Sequence, residues 1–217
     1  MKPLNEILTK PNATQNLPTL SPANYAALTP QVKHCLALYG DHANRLMTLF
    51  NPDKQAYYIS AQREAYRGQA PALATVKRAY GDDAAESWLA IQLNDVANYT
   101  GARNDYSAAD FFPAAKLLLA TFGYLKLSEL LLFFGLYKSG RYGRPYGTID
   151  FISIGDALNR FVEADRKAAI NRYKAEEDNE RQARELAETK ANAITYTEYC
   201  KLTNTKPDER IDEILQS

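Results

Sequence analysis

The residues whose types could do chemistry cluster in one run, Lys138-Ser139-Gly140-Arg141-Tyr142-Gly143-Arg144-Pro145-Tyr146-Gly147. It holds three cations, two tyrosines and three glycines, and no acid. Glycines let backbone N–H groups turn toward an anion, and arginine can grip a phosphate at two points. Tyrosine rings offer faces on which unpaired bases stack. On this reading Lys138, Arg141, Tyr142, Arg144 and Tyr146 contact an anion or a single strand of nucleic acid. Gly140, Gly143 and Gly147 then shape the loop backbone. A second reading fits the same text: a structural connector whose glycines serve tight turns and whose tyrosines fill a helix junction. The run is not a Walker loop, because no Gly-Lys-Ser/Thr follows at the required spacing. Its Gly-x-x-Gly spacing occurs in one RNA-binding module, but no strands of that module are legible here.

Other groups carry less. His34 and His42 are the two histidines, with Cys35 beside the first. Metal binding needs three or four ligands at known spacing, and none stands out, so neither a metal nor a cofactor is expected. There is no Gly-x-Ser-x-Gly elbow and no positional case for a Cys–His pair, so no catalytic residue is assigned and no enzyme is expected. Asp82, Asp83 and Glu86 read as the acidic start of a helix. Asp150 reads as a cap or turn residue that could orient Arg141 or Arg144.

The elements that must position the run are helical. Thr29-Pro30 places a hydroxyl before a proline at the first helical position, and Gly40 closes the pattern of Val32, Leu36 and Tyr39. Asp41 is the expected cap of a helix through Leu49. Asp53 is the expected cap of one from Lys54 to Arg67. Pro71 to Tyr80 and Asp82 to Tyr99 follow, then Ser107 to Phe122 with Pro113 inside, where a kink or a later start is expected. Ser128 is read as the cap of Glu129 to Lys138, which is apolar nearly all round and therefore buried. A long helix starting near Ser153 could run about 40 residues, roughly 60 Å. Ten of the 17 residues from Lys174 to Lys190 are charged, and Glu180 and Arg184 stand at a favourable spacing of four. A short helical tail follows, with a last candidate opening at Pro207.

The chain has 217 residues, 26 basic and 26 acidic, 46% apolar and 24% charged. These are values of an ordinary globular protein, and zero net charge weighs against bulk attraction to duplex DNA or anionic lipid. Charge alternates in blocks, positive to residue 81, negative over 82–115, positive over 116–147 and negative beyond. Leu117 to Tyr137 is apolar enough to test as a membrane span. Lys126 and Glu129 near its middle would each cost about 2.5–3.5 kcal/mol there. Two buried helices joined at Lys126-Leu127-Ser128 avoid that cost, so no membrane is expected. Cys35 and Cys200 have no partner motif, and Met1 to Leu20 has no signal-type core. Both point to a reduced, cytoplasmic protein.

The expected fold is all-α: a compact helical bundle with a long, charged C-terminal helix and a short helical tail. The expected division is a partly ordered arm over 1–20, a helical core domain over 21–173 and a charged extension over 174–217. The phrase Tyr124-Leu125-Lys126-Leu127-Ser128-Glu129-Leu130, then Phe133-Phe134, then Lys138-x-Gly140-Arg141-Tyr142-Gly143-x-x-Tyr146-Gly147-x-x-Asp150, then Leu158-x-x-Phe161, resembles a family of uncharacterised proteins of phages and integrated elements of gut bacteria. The resemblance spans about residues 82 to 165. It implies a mobile-element context, in the host cytoplasm or a virion, and nothing catalytic. Two functions fit that context. One is a non-enzymatic replication adaptor or helicase-loader-like protein that contacts nucleic acid or a protein partner. The other is a virion structural or assembly protein acting through helical subunit interfaces. A protein partner or homo-oligomer is expected, with single-stranded nucleic acid as the other candidate.

Overall fold

Prolines and glycines mark several helix ends, while Thr29, His42 and Ala72 stand at N-cap positions without a side-chain cap bond. The computed structural model describes residues 27–100, 108–143, 150–193, 196–204 and 206. Among the described residues the fold is all-α, with a single isolated antiparallel bridge, Ala72 to Lys126. The arm over 1–20 and the candidate helix at Pro207 lie outside them.

α1 runs Pro30–Tyr39, with Thr29 extended before it and Gly40 at φ +84° after it. α2, Ala43–Leu49, takes His42 rather than Asp41 at its N-cap position. The single helix expected from Lys54 to Arg67 is instead a 3₁₀ turn, Pro52–Lys54, then α3, Gln55–Ser60, and α4, Gln62–Arg67. Ala61 leaves helical geometry at φ −104°, ψ 49°. The break lets the two short helices meet the core separately. The Gln55 carbonyl and Ile59 press against Gly135, and the Ala65 carbonyl accepts the Ser128 hydroxyl at 2.7 Å. Periodicity in a sequence cannot register a break made by such long-range contacts.

α5, Leu73–Tyr80, is followed directly by α6, Asp82–Thr100, with Asp82 and Asp83 in the first turn of α6. The first N–H groups of a helix lack internal partners. In α5 those of Leu73 and Ala74 donate to the Leu125 and Gly123 carbonyls at 2.9 and 2.7 Å. α7, Ala108–Phe122, carries Pro113 within it. α8, Leu127–Lys138, is the centre of the core. Leu130, Leu131, Leu132, Phe133 and Phe134 are all buried, and the Phe161 ring lies 5.6 Å from that of Phe133.

The start of α8 departs from expectation. Ser128 does not cap it but sits inside it, buried. Lys126 occupies the N-cap position, and its backbone N–H donates to the Glu129 carboxylate at 2.9 Å. α9 is Phe151–Arg160, two residues earlier than expected. The Asp150 carboxylate accepts the Ile152 N–H at 3.0 Å, so Asp150 is its cap. A π-helical turn, Phe161–Arg166, joins α9 to α10, Lys167–Asn192, and the run from 151 to 192 is the long helix. α11 is Tyr196–Thr203.

The chain divides into two compact units at residues 171 and 172. The first contains α1 to α9 and the π turn. In the second, the charged part of α10 is exposed along its surface and carries local ion pairs, Arg181 with Asp178 at 2.9 Å and Arg184 with Glu180 at 3.7 Å. No helix of the described residues is long and apolar enough to cross a membrane.

Candidate functional site

The connector after α8 is built by its glycines. The Gly140 N–H donates to the Tyr137 carbonyl at 2.9 Å, and the Arg141 N–H donates to the Leu136 carbonyl at 3.1 Å. This is the paired closure of a Schellman cap, which needs a left-handed residue at the turn. Gly140 supplies it at φ +86°. Gly143 follows at φ +105°, its N–H on the Gly140 carbonyl at 3.1 Å. A Cβ at either glycine would meet nothing within 4 Å. Among the described residues the requirement is therefore torsional, not steric.

Lys138 leaves α8 pointing at α6. Its Nζ donates to Asp95 Oδ2 at 2.8 Å and stands 5.0 Å above the Tyr99 ring. Asp95 also accepts Gln55 Nε2 at 3.0 Å, which ties α3, α6 and α8 together. Arg141 turns the other way. Its Nε and Nη2 donate to the two oxygens of Asp165 at 3.0 and 2.6 Å, and the Tyr142 hydroxyl donates to Asp165 Oδ2 at 2.6 Å. The Tyr142 ring packs 5.6 Å from that of Phe133, and its carbonyl accepts Arg160 Nη2 at 2.9 Å. The hydrogen bonds from Arg141 hold the Asp165 carboxyl below the usual carboxylate range. Partial burial opposes them, and the Tyr142 bond adds to them. Burial, with the bond to Asp165 second, pushes the Tyr142 phenol well above its ordinary value.

Of the sequence-derived site residues, Lys138, Arg141, Tyr142, Gly140 and Gly143 are thus placed, while Arg144, Tyr146 and Gly147 lie outside the described residues. Lys138 and Arg141 are brought together in sequence but not in purpose, since each is neutralised by a different carboxylate. The acid that orients Arg141 is Asp165, not Asp150. Asp165 stands 24 positions on, inside a stretch that reads as plain helix, and no local spacing marks it. The π turn places it: an inserted residue widens the helix there and such turns often carry special groups.

A second cluster, also missed, lies at the other end of α8. Glu129 is 1% exposed, and its Oε1 accepts Arg166 Nε at 2.9 Å. Lys126 Nζ donates to the Tyr66 and Gly68 carbonyls at 2.9 and 2.8 Å, and burial lowers its pKa. The two charges that argued against a membrane span are therefore the buried clamp of the junction. Among the described residues no group of three or more His, Cys, Asp or Glu side chains is placed to hold a metal ion. Cys35 and Cys200 are buried free thiols, and burial pushes the Cys35 thiol up.

No curated protein and no solved structure matches the chain. From residue 112 to residue 210, a stretch that takes in α8, the connector and the charged part of α10, the chain is similar to a family of unknown function, DUF6633.

Proposed function

We propose that the protein is a non-enzymatic accessory factor of a phage or mobile element, a replication adaptor or helicase loader that works in the host cytoplasm on a protein partner. One observation carries the choice of partner: Lys138 and Arg141, the connector cations within the described residues, are held by Asp95 and Asp165. A phosphate would have to displace a carboxylate already bound at two points, so a single strand is the weaker candidate. The charged surface of α10 is the more available feature, and charge complementarity selects partners and speeds their encounter. The other reading is a virion structural or assembly protein. Its support is the exposed apolar surface of the second unit, Leu186, Tyr199 and Leu202.

Sedimentation velocity separates the two. The full-length chain is run alone and then with the replicative helicase of the host cell. An adaptor sediments alone as a small species and moves with the helicase in the mixture. A chain that forms large assemblies alone and ignores the helicase overturns the adaptor reading in favour of assembly.

A further inference from the structure

A cleft of about 270 Å³ opens between α1, the segment before α5 and the turn before α8. The residues lining it include Tyr39, Tyr124, Lys126 and Arg166, together with Thr75 and the exposed His34. None of the described connector residues lines it. Glu129, the acid paired with Arg166, is buried and accepts from Arg166 Nε and from the Lys126 backbone. Arg166 donates Nε to it, and its Nη groups have no hydrogen-bond partner among the described residues. The guanidinium lies 5.6 Å from the centre of the Tyr124 ring, within cation–π range. Lys126 gives two of its three ammonium hydrogens to carbonyls. Two cations with donors to spare thus line one cleft that also holds Tyr39 and Tyr124.

We propose that this cleft binds a small aromatic acid, a single ring bearing a carboxylate or phosphate. The ring lies against the tyrosines and the acidic group meets the Arg166 fork and the Lys126 ammonium. Size sets the class. An apolar cavity of about 150 Å³ holds benzene, so a cleft of this volume admits one ring with an acidic substituent. Small-molecule sites begin near 300 Å³, so a dinucleotide is too large. A planar fork such as arginine matches a carboxylate or a phosphate at two points. The buried Glu129 holds that fork in place before any ligand arrives, and such positioning lowers the cost of binding.

The test is calorimetric titration of the full-length chain with benzoate, phenyl phosphate, neutral benzamide and inorganic phosphate. Benzoate or phenyl phosphate is expected to bind with Kd below about 1 mM, and benzamide and inorganic phosphate at least about tenfold more weakly. Thr75→Leu adds bulk to the wall away from the charged cluster and is expected to weaken the acid at least about tenfold. Arg166→Met alone would strand the buried Glu129 and could unfold the chain. It is therefore made together with Glu129→Gln, and this pair is expected to abolish the preference for benzoate over benzamide. Equal binding of benzamide and benzoate, an unchanged affinity in Thr75→Leu, or no binding of either acid at 10 mM, about ten times the expected limit, would overturn the proposal.

Discussion

Asp165→Ala is the sharpest perturbation of the connector, because one carboxylate holds two of its residues. Arg141 is 53% exposed and Asp165 21%, so the ion pair falls toward the range of surface pairs, about 0.2–1 kcal/mol. The Tyr142 hydroxyl is half-buried and loses a bond to a charged acceptor, a change of about 1.5–3 kcal/mol. The two bonds share an acceptor and do not add in full, so the expected loss is about 2–3 kcal/mol. For a chain of this length about 2–4 °C follows each kcal/mol, and the thermal midpoint should fall by about 4–12 °C. Urea denaturation monitored by circular dichroism measures the same loss at fixed temperature. Arg141→Ala should cost about 1 kcal/mol or less, since it leaves the Tyr142 bond in place. A loss under about 0.5 kcal/mol for Asp165→Ala would refute the reasoning. The clasp would then contribute nothing to the fold, and its cations would be free for another use.

Three further outcomes are expected. Because Asp165 is held below the usual carboxylate range, its stabilising effect is present above the unfolded value near 3.9 and is lost as pH falls through the lower folded value. The stability gap between wild type and Asp165→Ala should thus be flat from about pH 5 to 8 and close below about pH 4, as read from urea midpoints across pH. Phe134→Ala and Leu131→Ala should each cost about 2–5 kcal/mol, since both side chains are fully buried; losses under 1 kcal/mol in both, by about the same urea assay, would move α8 to a surface. Gly143→Ala should cost about 1–3 kcal/mol through backbone strain at φ +105° alone, with binding properties unchanged, and a neutral result in thermal melts would show that the turn relaxes.

Much of the scaffold was legible because it is locally encoded. The proline of α1, the glycines after α1 and α5 and the acidic first turn of α6 each mark a boundary that the structure keeps. The apolar text of α8 marked the core for the same reason: a helix with no polar face has nowhere else to go. What stayed hidden depends on distance. Ala61 breaks a regular pattern because α3 and α4 meet different parts of α8. Ser128 looked like a cap, but its hydroxyl is claimed by the Ala65 carbonyl, 63 positions away. Asp165 and Arg166 sit side by side on the π turn yet serve opposite ends of α8, Asp165 the connector and Arg166 the Glu129 clamp. A spacing rule for regular helix does not apply across a π turn, so neither role could be read from periodicity. The connector is legible from composition, but its two readings diverge only at Asp95 and Asp165, which no local spacing links to Lys138 and Arg141.

The most direct test of the connector as a clasp, with a protein as partner, is a salt titration on a fluorescent single-stranded oligonucleotide followed by anisotropy. Wild type and the Arg141→Ala/Arg144→Ala double variant are compared from low salt upward. The clasp account expects no binding that depends on these arginines: the two proteins give the same curve, while the double variant is slightly less stable. Three phosphates held by Lys138, Arg141 and Arg144 would instead give a log–log slope near −2, at about −0.7 per phosphate for single strands. A wild-type slope of that size, reduced to about −0.7 in the double variant, would contradict the account and restore the connector as a nucleic-acid contact.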